Sequence, residues 1–124
     1  MFRPSDELPT VTVIEADQLR AVDPSAALIV DVREPNEFVA ARVEGSVLLP
    51  LSRFVQGYQQ LPQDRRLLIF CNSGNRSKTA TAWLIGHGFP NSANVAGGIV
   101  AWMRAGLPVR RGPVEPGEGT LPSD

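Results

Sequence analysis

Two unbroken apolar runs stand out along the chain, Ala27-Leu28-Ile29-Val30 and Leu67-Leu68-Ile69-Phe70. Runs of this length without polar alternation are the pattern of strands covered on both faces, as in a parallel sheet. Shorter stretches at 10–14, 47–49 and 93–95 predict further strands. Between them the apolar period lengthens to that of a helix. Glu15 to Val22 turns Ala16, Leu19 and Val22 inward. A segment from Pro35 to about Ala41, entered at Glu34, turns Phe38 inward, and proline suits its first position. Ser52 can cap a helix over Arg53 to Gln60, with Phe54, Val55 and Tyr58 inward. After Ser77, the residues Ala80, Trp83, Leu84 and His87 recur at helical spacing, and Gly88 suits the C-terminal cap. Gly97-Gly98 reads as a tight turn into a last helix whose Trp102 packs in the core.

Strands alternating with helices predict an α/β fold, a single domain with a mostly parallel central sheet of about five strands and helices on both faces. The domain is expected over 10–108. Residues 1–9 read as a polar, proline-containing arm. Residues 109–124 read as a flexible C-terminal tail, because from Gly112 onward glycine, proline and acidic residues leave little to bury.

Composition narrows the function by exclusion. The chain has 124 residues, and its 43% hydrophobic content is that of an ordinary globular core. A net charge of −1 supplies no electrostatic footprint for nucleic acid or an anionic membrane surface. No apolar stretch approaches the ~18 residues of a spanning helix, and the N-terminus lacks a signal core. There is one cysteine, so no internal disulfide can form, and a cytoplasmic location is expected. A single cysteine also excludes dithiol redox chemistry within the chain. Any covalent intermediate on it must be discharged by an outside molecule.

That cysteine, Cys71, ends the second apolar run and begins the loop Cys71-Asn72-Ser73-Gly74-Asn75-Arg76-Ser77. In open α/β sheets, the carboxyl ends of strands are where ligands bind. The first amides of a helix have no partner within it, and successive N–H groups curled round a point attract an anion. A thiol placed there gains those donors only when ionised. Its pKa is expected to fall from about 8.5 into the range of roughly 3.5–7.5. Gly74 permits a positive φ, Arg76 adds a cation, and Ser77 can cap the helix or donate to the sulfur. Free cysteines are often simply buried and inert; the loop and helix start favour a reactive one.

The loop resembles the active-site loop of the rhodanese, or sulfurtransferase, family. Two further stretches agree in order. Asp31-Val32-Arg33-Glu34-Pro35-Asn36-Glu37-Phe38 is similar to the family's first signature, and Asn94-Val95-Ala96-Gly97-Gly98-Ile99-Val100-Ala101-Trp102 to its third. Ala41 to Leu51 aligns with the second, usually Gly-His-Ile-Pro-Gly-Ala-Ile-Asn-Ile-Pro-Leu. It departs there at Ala41, Arg42, Glu44 and Leu48. The resemblance covers roughly Thr10 to Pro108. It implies that Cys71 accepts a sulfane sulfur as a persulfide, and that the loop from Asn72 to Ser77 cradles the charged sulfur. Asp31 and Arg33 would support the site from behind.

On this reading the activity is a thiosulfate sulfurtransferase-type transfer. It moves sulfur from thiosulfate or a persulfide to cyanide, a thiol or a partner protein. The covalent persulfide serves in place of a cofactor, and no metal site is expected. The partners are a small anionic sulfur donor and a protein donor or acceptor. Asn72, Ser73 and Asn75 are neutral, which leaves Arg76 as the loop's cation and predicts that thiosulfate, a dianion, is a mediocre donor. Two alternatives stay open. A non-enzymatic rhodanese-like binding module would need no cysteine. A Cys-dependent phosphatase would place five residues between cysteine and arginine, where this chain has four. A Cys–His hydrolase is excluded by distance, since the one histidine, His87, lies roughly 15 Å along the helix from Cys71. Gly97-Gly98 has no Lys-Ser/Thr after it, as a phosphate-binding loop would require.

Overall fold

The fold is described from a computed structural model, over residues 8–122. Most of the expected N-terminal arm, residues 1–7, lies outside the described residues, as do residues 123–124. The strands are β1 (Thr10–Val11), β2 (Ala27–Asp31), β3 (Val47–Leu48), β4 (Arg66–Phe70) and β5 (Ser92–Val95). They form one five-stranded sheet in the order β1-β5-β4-β2-β3, with every pairing parallel. The helices are α1 (Val13–Val22), α2 (Pro35–Ala40), α3 (Phe54–Gly57), α4 (Asn75–Gly86) and α5 (Gly98–Arg104).

Alternation along the central strands sorts the core into two layers. Ala27, Ile29, Leu68 and Phe70 join Ala93, Val95, Ile99 and Trp102 on the α1–α5 side. Leu28, Val30, Leu67, Ile69 and Cys71 join Phe54, Ala80, Leu84 and Phe89 on the α3–α4 side. Cys71 therefore continues the side-chain register of Leu67 and Ile69 and faces α4.

Several boundaries differ from the expected ones. The first strand stops at Val11 because Thr12 begins a helix. Its hydroxyl accepts the Glu15 amide at 3.1 Å while the Glu15 carboxylate accepts the Thr12 amide at 2.8 Å. The helix so begun at Val13 buries Val13 and Ala16, and Val22 at its end is 85% exposed. Residues 51–60 form no continuous helix: two 3₁₀ turns, Leu51–Arg53 and Tyr58–Gln60, flank a single α-turn. The tighter winding keeps Phe54 inward and rotates Val55 out to solvent. Ser52 is not a cap there; its hydroxyl donates to Glu34 Oε1 at 2.9 Å.

The segment after Pro108 departs most from expectation. Residues 109–122, expected as part of a flexible tail, are held against the domain. Arg42 and Arg110 exchange backbone hydrogen bonds at 2.9 and 2.8 Å, and the Leu48 amide donates to the Gly119 carbonyl at 2.7 Å. The Arg42 guanidinium, 1% exposed, grips Glu118 through Nε (2.6 Å) and Nη2 (2.9 Å) and donates to the Gly112 carbonyl at 2.8 Å. Arg42 is one of the departures from the second signature. A buried cation needs a partner, and the polar tail supplies it. The low apolar content of the tail concealed this, because only Val109 and Leu121 add apolar packing to an attachment that is otherwise ionic and backbone-borne.

Candidate active site

β4 ends at Phe70, and only Asn72, Ser73 and Gly74 separate Cys71 from helix α4. The helix thus begins two residues before the expected Ser77 boundary. Gly74, at φ +105°, occupies the N-cap position and reverses the chain. Its amide donates to Cys71 Sγ at 3.0 Å. The thiol in turn donates to Ser77 Oγ at 3.3 Å, and Ser77 donates to Asn94 Oδ1 at 2.5 Å. Cys71, Ser77 and Asn94 are all but fully buried, while Asn72, Ser73 and Asn75 line the rim exposed to solvent.

Two opposed effects act on the thiol. Burial pushes its pKa up. Hydrogen bonds from the Ser77 hydroxyl and from the amides of Ser77, Gly74 and Ser73 stabilise the thiolate, and together they hold the pKa below the usual thiol value.

The loop is fixed from below by α5. The Ile99 amide donates to the Cys71 carbonyl at 2.9 Å, and the Val100 amide to the Asn72 carbonyl at 3.1 Å. Otherwise unpaired amides of one helix N-terminus thereby satisfy the loop's own carbonyls. The approach is close enough that any Cβ on Gly98 would collide with both carbonyls, and Gly98 also lies at φ +53°.

A chain of charges supports the other side. Arg33 and Asp31 form a buried two-pronged pair, with Nε to Oδ1 at 3.0 Å and Nη2 to Oδ2 at 2.8 Å. Burial pushes the Asp31 carboxyl up, against hydrogen bonds and charge from Arg33. Arg33 also donates to the carbonyls of Glu37 (3.2 Å) and Ala41 (2.7 Å), which anchors α2. From α2 the Glu37 carboxylate reaches across to Arg76 on α4.

The structure therefore gathers Cys71, Ser73, Gly74 and Ser77 round the sulfur. Asp31 and Arg33 stand behind α2 rather than at the thiol. Arg76 is engaged by Glu37. Asn94, bonded to Ser77, was not among the residues singled out for the site. Its signal was a lone amide in a strand, on the same face as Ile69 across the register from β5 to β4.

A profile of the rhodanese-like domain matches residues 14–105. The chain belongs to the rhodanese family. A sulfurtransferase of Allochromatium vinosum is 36% identical over 101 residues, covering 80% of this rhodanese chain and 94% of its own. The thiosulfate sulfurtransferase GlpE of Pseudomonas syringae pv. syringae is 33% identical over 89 residues, covering 72% and 84% respectively. Among solved structures, a rhodanese-related protein from Thermoplasma volcanium superposes with a TM-score of 0.73 at 28% identity, over 82% of this chain and 97% of its own. The rhodanese fold expected from the signatures is thus the fold observed. No helix of the described residues is long and apolar enough to cross a membrane.

Proposed function

We propose that this rhodanese domain is a sulfurtransferase that works through a persulfide on Cys71. One observation carries the reading: the Gly74 amide donates to the Cys71 sulfur at 3.0 Å, and the Ser77 hydroxyl, which accepts from the thiol at 3.3 Å, lies within donating reach once the sulfur is charged. Donors aimed at a sulfur stabilise it only while it is charged. The cradle therefore suits a group that alternates between thiolate and persulfide anion.

The reaction has two balanced steps. The Cys71 thiolate attacks the outer sulfur of the donor, an S–S bond forms to Cys71, and the donor's own S–S bond breaks. With thiosulfate the bonding pair leaves on sulfite. In the second step a thiophilic acceptor attacks the outer sulfur of Cys71–S–S⁻, the bond to Cys71 breaks, and the thiolate returns. Cyanide leaves as thiocyanate, and an acceptor thiolate leaves as its persulfide. Such alternation predicts ping-pong kinetics.

The rim favours persulfides over thiosulfate as donors. Asn72, Ser73 and Asn75 carry no charge, and Arg76 is neutralised by Glu37 at 2.7 Å. A protein donor or acceptor would meet this same neutral rim. The Glu37 pairing also counts against a phosphatase, which would turn its loop arginine onto the phosphate.

The test is the mass of the intact chain after incubation with thiosulfate or a low-molecular-weight persulfide, followed by cyanide. A gain of one sulfur, reversed by cyanide and absent in Cys71→Ala, is expected. No gain with any sulfur donor would overturn the reading and favour a binding module. Aryl phosphate hydrolysis that vanishes with Cys71 would favour a phosphatase.

A further inference from the structure

Ser77 has one proton and two claims upon it. With Cys71 protonated, the order of donation runs from thiol to Ser77 Oγ (3.3 Å) and from Ser77 to Asn94 Oδ1 (2.5 Å). Once the thiol ionises it can no longer donate, and the sulfur needs a donor. If Ser77 turned its proton to the sulfur while Asn94 stayed as it is, two oxygens would face each other at 2.5 Å with no hydrogen between them. The other end of the amide resolves the conflict. Asn94 Nδ2 is buried and has no hydrogen-bond partner among the described residues. A buried amide N–H without a partner is rare and costly. A primary amide presents donor and acceptor ends of nearly equal shape, related by half a turn about its last torsion.

We propose that Asn94 is the positioning residue of the Cys71 sulfur: its amide faces Ser77 with Oδ1 when Cys71 is a thiol and with Nδ2 when Cys71 is a thiolate or persulfide. In the second arrangement Nδ2 donates to Ser77 Oγ and Ser77 donates to the sulfur, so donation through the three groups reverses direction. The orphaned donor of the first state acquires its partner in the second. The backbone does not need to move. Asn94 is held in the sheet between Pro9, whose carbonyl accepts its amide at 2.8 Å, and its register partner Ile69. The lowered pKa of Cys71 agrees, since it draws on donation from Ser77.

The charged groups around this corner are closed on one another. Arg76 is paired with Glu37, and Arg33 with Asp31. His87 is at the far end of α4, bonded to the Trp83 carbonyl. A response of Asn94 in the thiol range is thus assignable to Cys71. The inference rests on the proposed function only in taking the charged sulfur as the working state.

The first test follows the Asn94 side-chain amide by nitrogen-15 NMR through a pH titration of the full chain. In parallel, the rate of alkylation by iodoacetamide reports ionisation of Cys71. The Asn94 resonances are expected to shift with the same midpoint as the alkylation rate. The shift should be absent in Cys71→Ala, and also in Ser77→Ala although Cys71 still ionises. Resonances that stay still while Cys71 ionises, or that move equally in Ser77→Ala, would overturn the proposal.

The second test uses Asn94→Asp, whose carboxylate can only accept and so keeps the Ser77 proton. Alkylation near neutral pH should slow roughly tenfold, because the thiolate is the nucleophile. In a Ser77→Ala background the same substitution should have a clearly smaller effect. Equal slowing in both backgrounds would reduce Asn94→Asp to a charge effect and contradict the relay. Neither test uses a sulfur donor. Loss of persulfide formation with an Asn94 response intact would fail the function alone, and persulfide formation with a silent Asn94 would fail the relay alone.

Discussion

Glu37 and Arg76, 39 positions apart in the chain, meet in a two-pronged ion pair, with Oε1 to Nη1 at 2.7 Å and Oε2 to Nη2 at 2.8 Å. The pair ties α2 to the helix that carries the cradle. Both side chains are about one-third exposed, so its contribution to stability is on the order of 0.2–1 kcal/mol. Its larger effect is on direction, since it turns the guanidinium of Arg76 toward Glu37 on α2.

Neutralising the carboxylate should release that charge. For Glu37→Gln, kcat/KM with thiosulfate is expected to rise about fivefold, the rate equivalent of roughly 1 kcal/mol. With a persulfide donor, which carries less charge than the thiosulfate dianion, it should change less. Steady-state kinetics with the two donors measures this. Equal changes for both would show that Arg76 does not steer the anion.

Acid should loosen the molecule in a defined window. The Arg76 hydrogen bonds hold Glu37 at about 2, and those from Arg42 hold Glu118 at about 2, both down from 4.5. For a lowered carboxylate, the stabilisation is fully present above the ordinary value and is lost as pH falls through the folded one. Tm should therefore fall between pH about 4.5 and about 2. The fall should be shallower in Glu118→Gln, which has no proton to take up. Calorimetry across that range tests the sign.

Gly98→Ala should damage the cradle without touching the thiol. The new methyl group meets the carbonyls of Cys71 and Asn72, and the position has φ +53°. Backbone on one side and helix on the other leave it no room. The expected cost is about 1–3 kcal/mol, with sulfur transfer falling more steeply than stability because the loop itself must shift. Urea unfolding and Cys71 alkylation, measured together, separate the two effects.

Removing either partner of the tail's ionic attachment should give unequal results. Glu118→Ala leaves the Arg42 guanidinium, 1% exposed, with no counter-charge, whereas Arg42→Met leaves Glu118 with Arg110 Nε still 3.7 Å away. The first should therefore cost more. Hydrogen exchange at Arg110 and Leu48, whose amides bond across to Arg42 and Gly119, should accelerate in both variants. Unchanged protection would mean that the segment is held without the ion pair.

The Asp31–Arg33 pair is fully enclosed, so Asp31→Ala should cost about 3–5 kcal/mol by leaving a buried cation. Replacing both residues by apolar ones of similar size should recover much of that loss. Chemical denaturation of the single and double variants measures the difference.

Local physics determined a good part of this protein from sequence alone. Unbroken apolar runs can be buried only with both faces covered, so β2, β4 and the parallel α/β architecture were readable in Ala27–Val30 and Leu67–Phe70. The end of such a strand, followed by a glycine and a helical period, located Cys71 and the amides around it. Interactions between distant residues were decided only by the tertiary structure. Neither the pairing of Arg76 with Glu37, nor the burial of Arg42 against a tail that looked free, nor the placing of Asn94 beside Ser77 follows from any local pattern. Each depends on which strands become neighbours and in what register. A charged or amide side chain has the same sequence signature whether water or a distant partner satisfies it, and only packing selects between them.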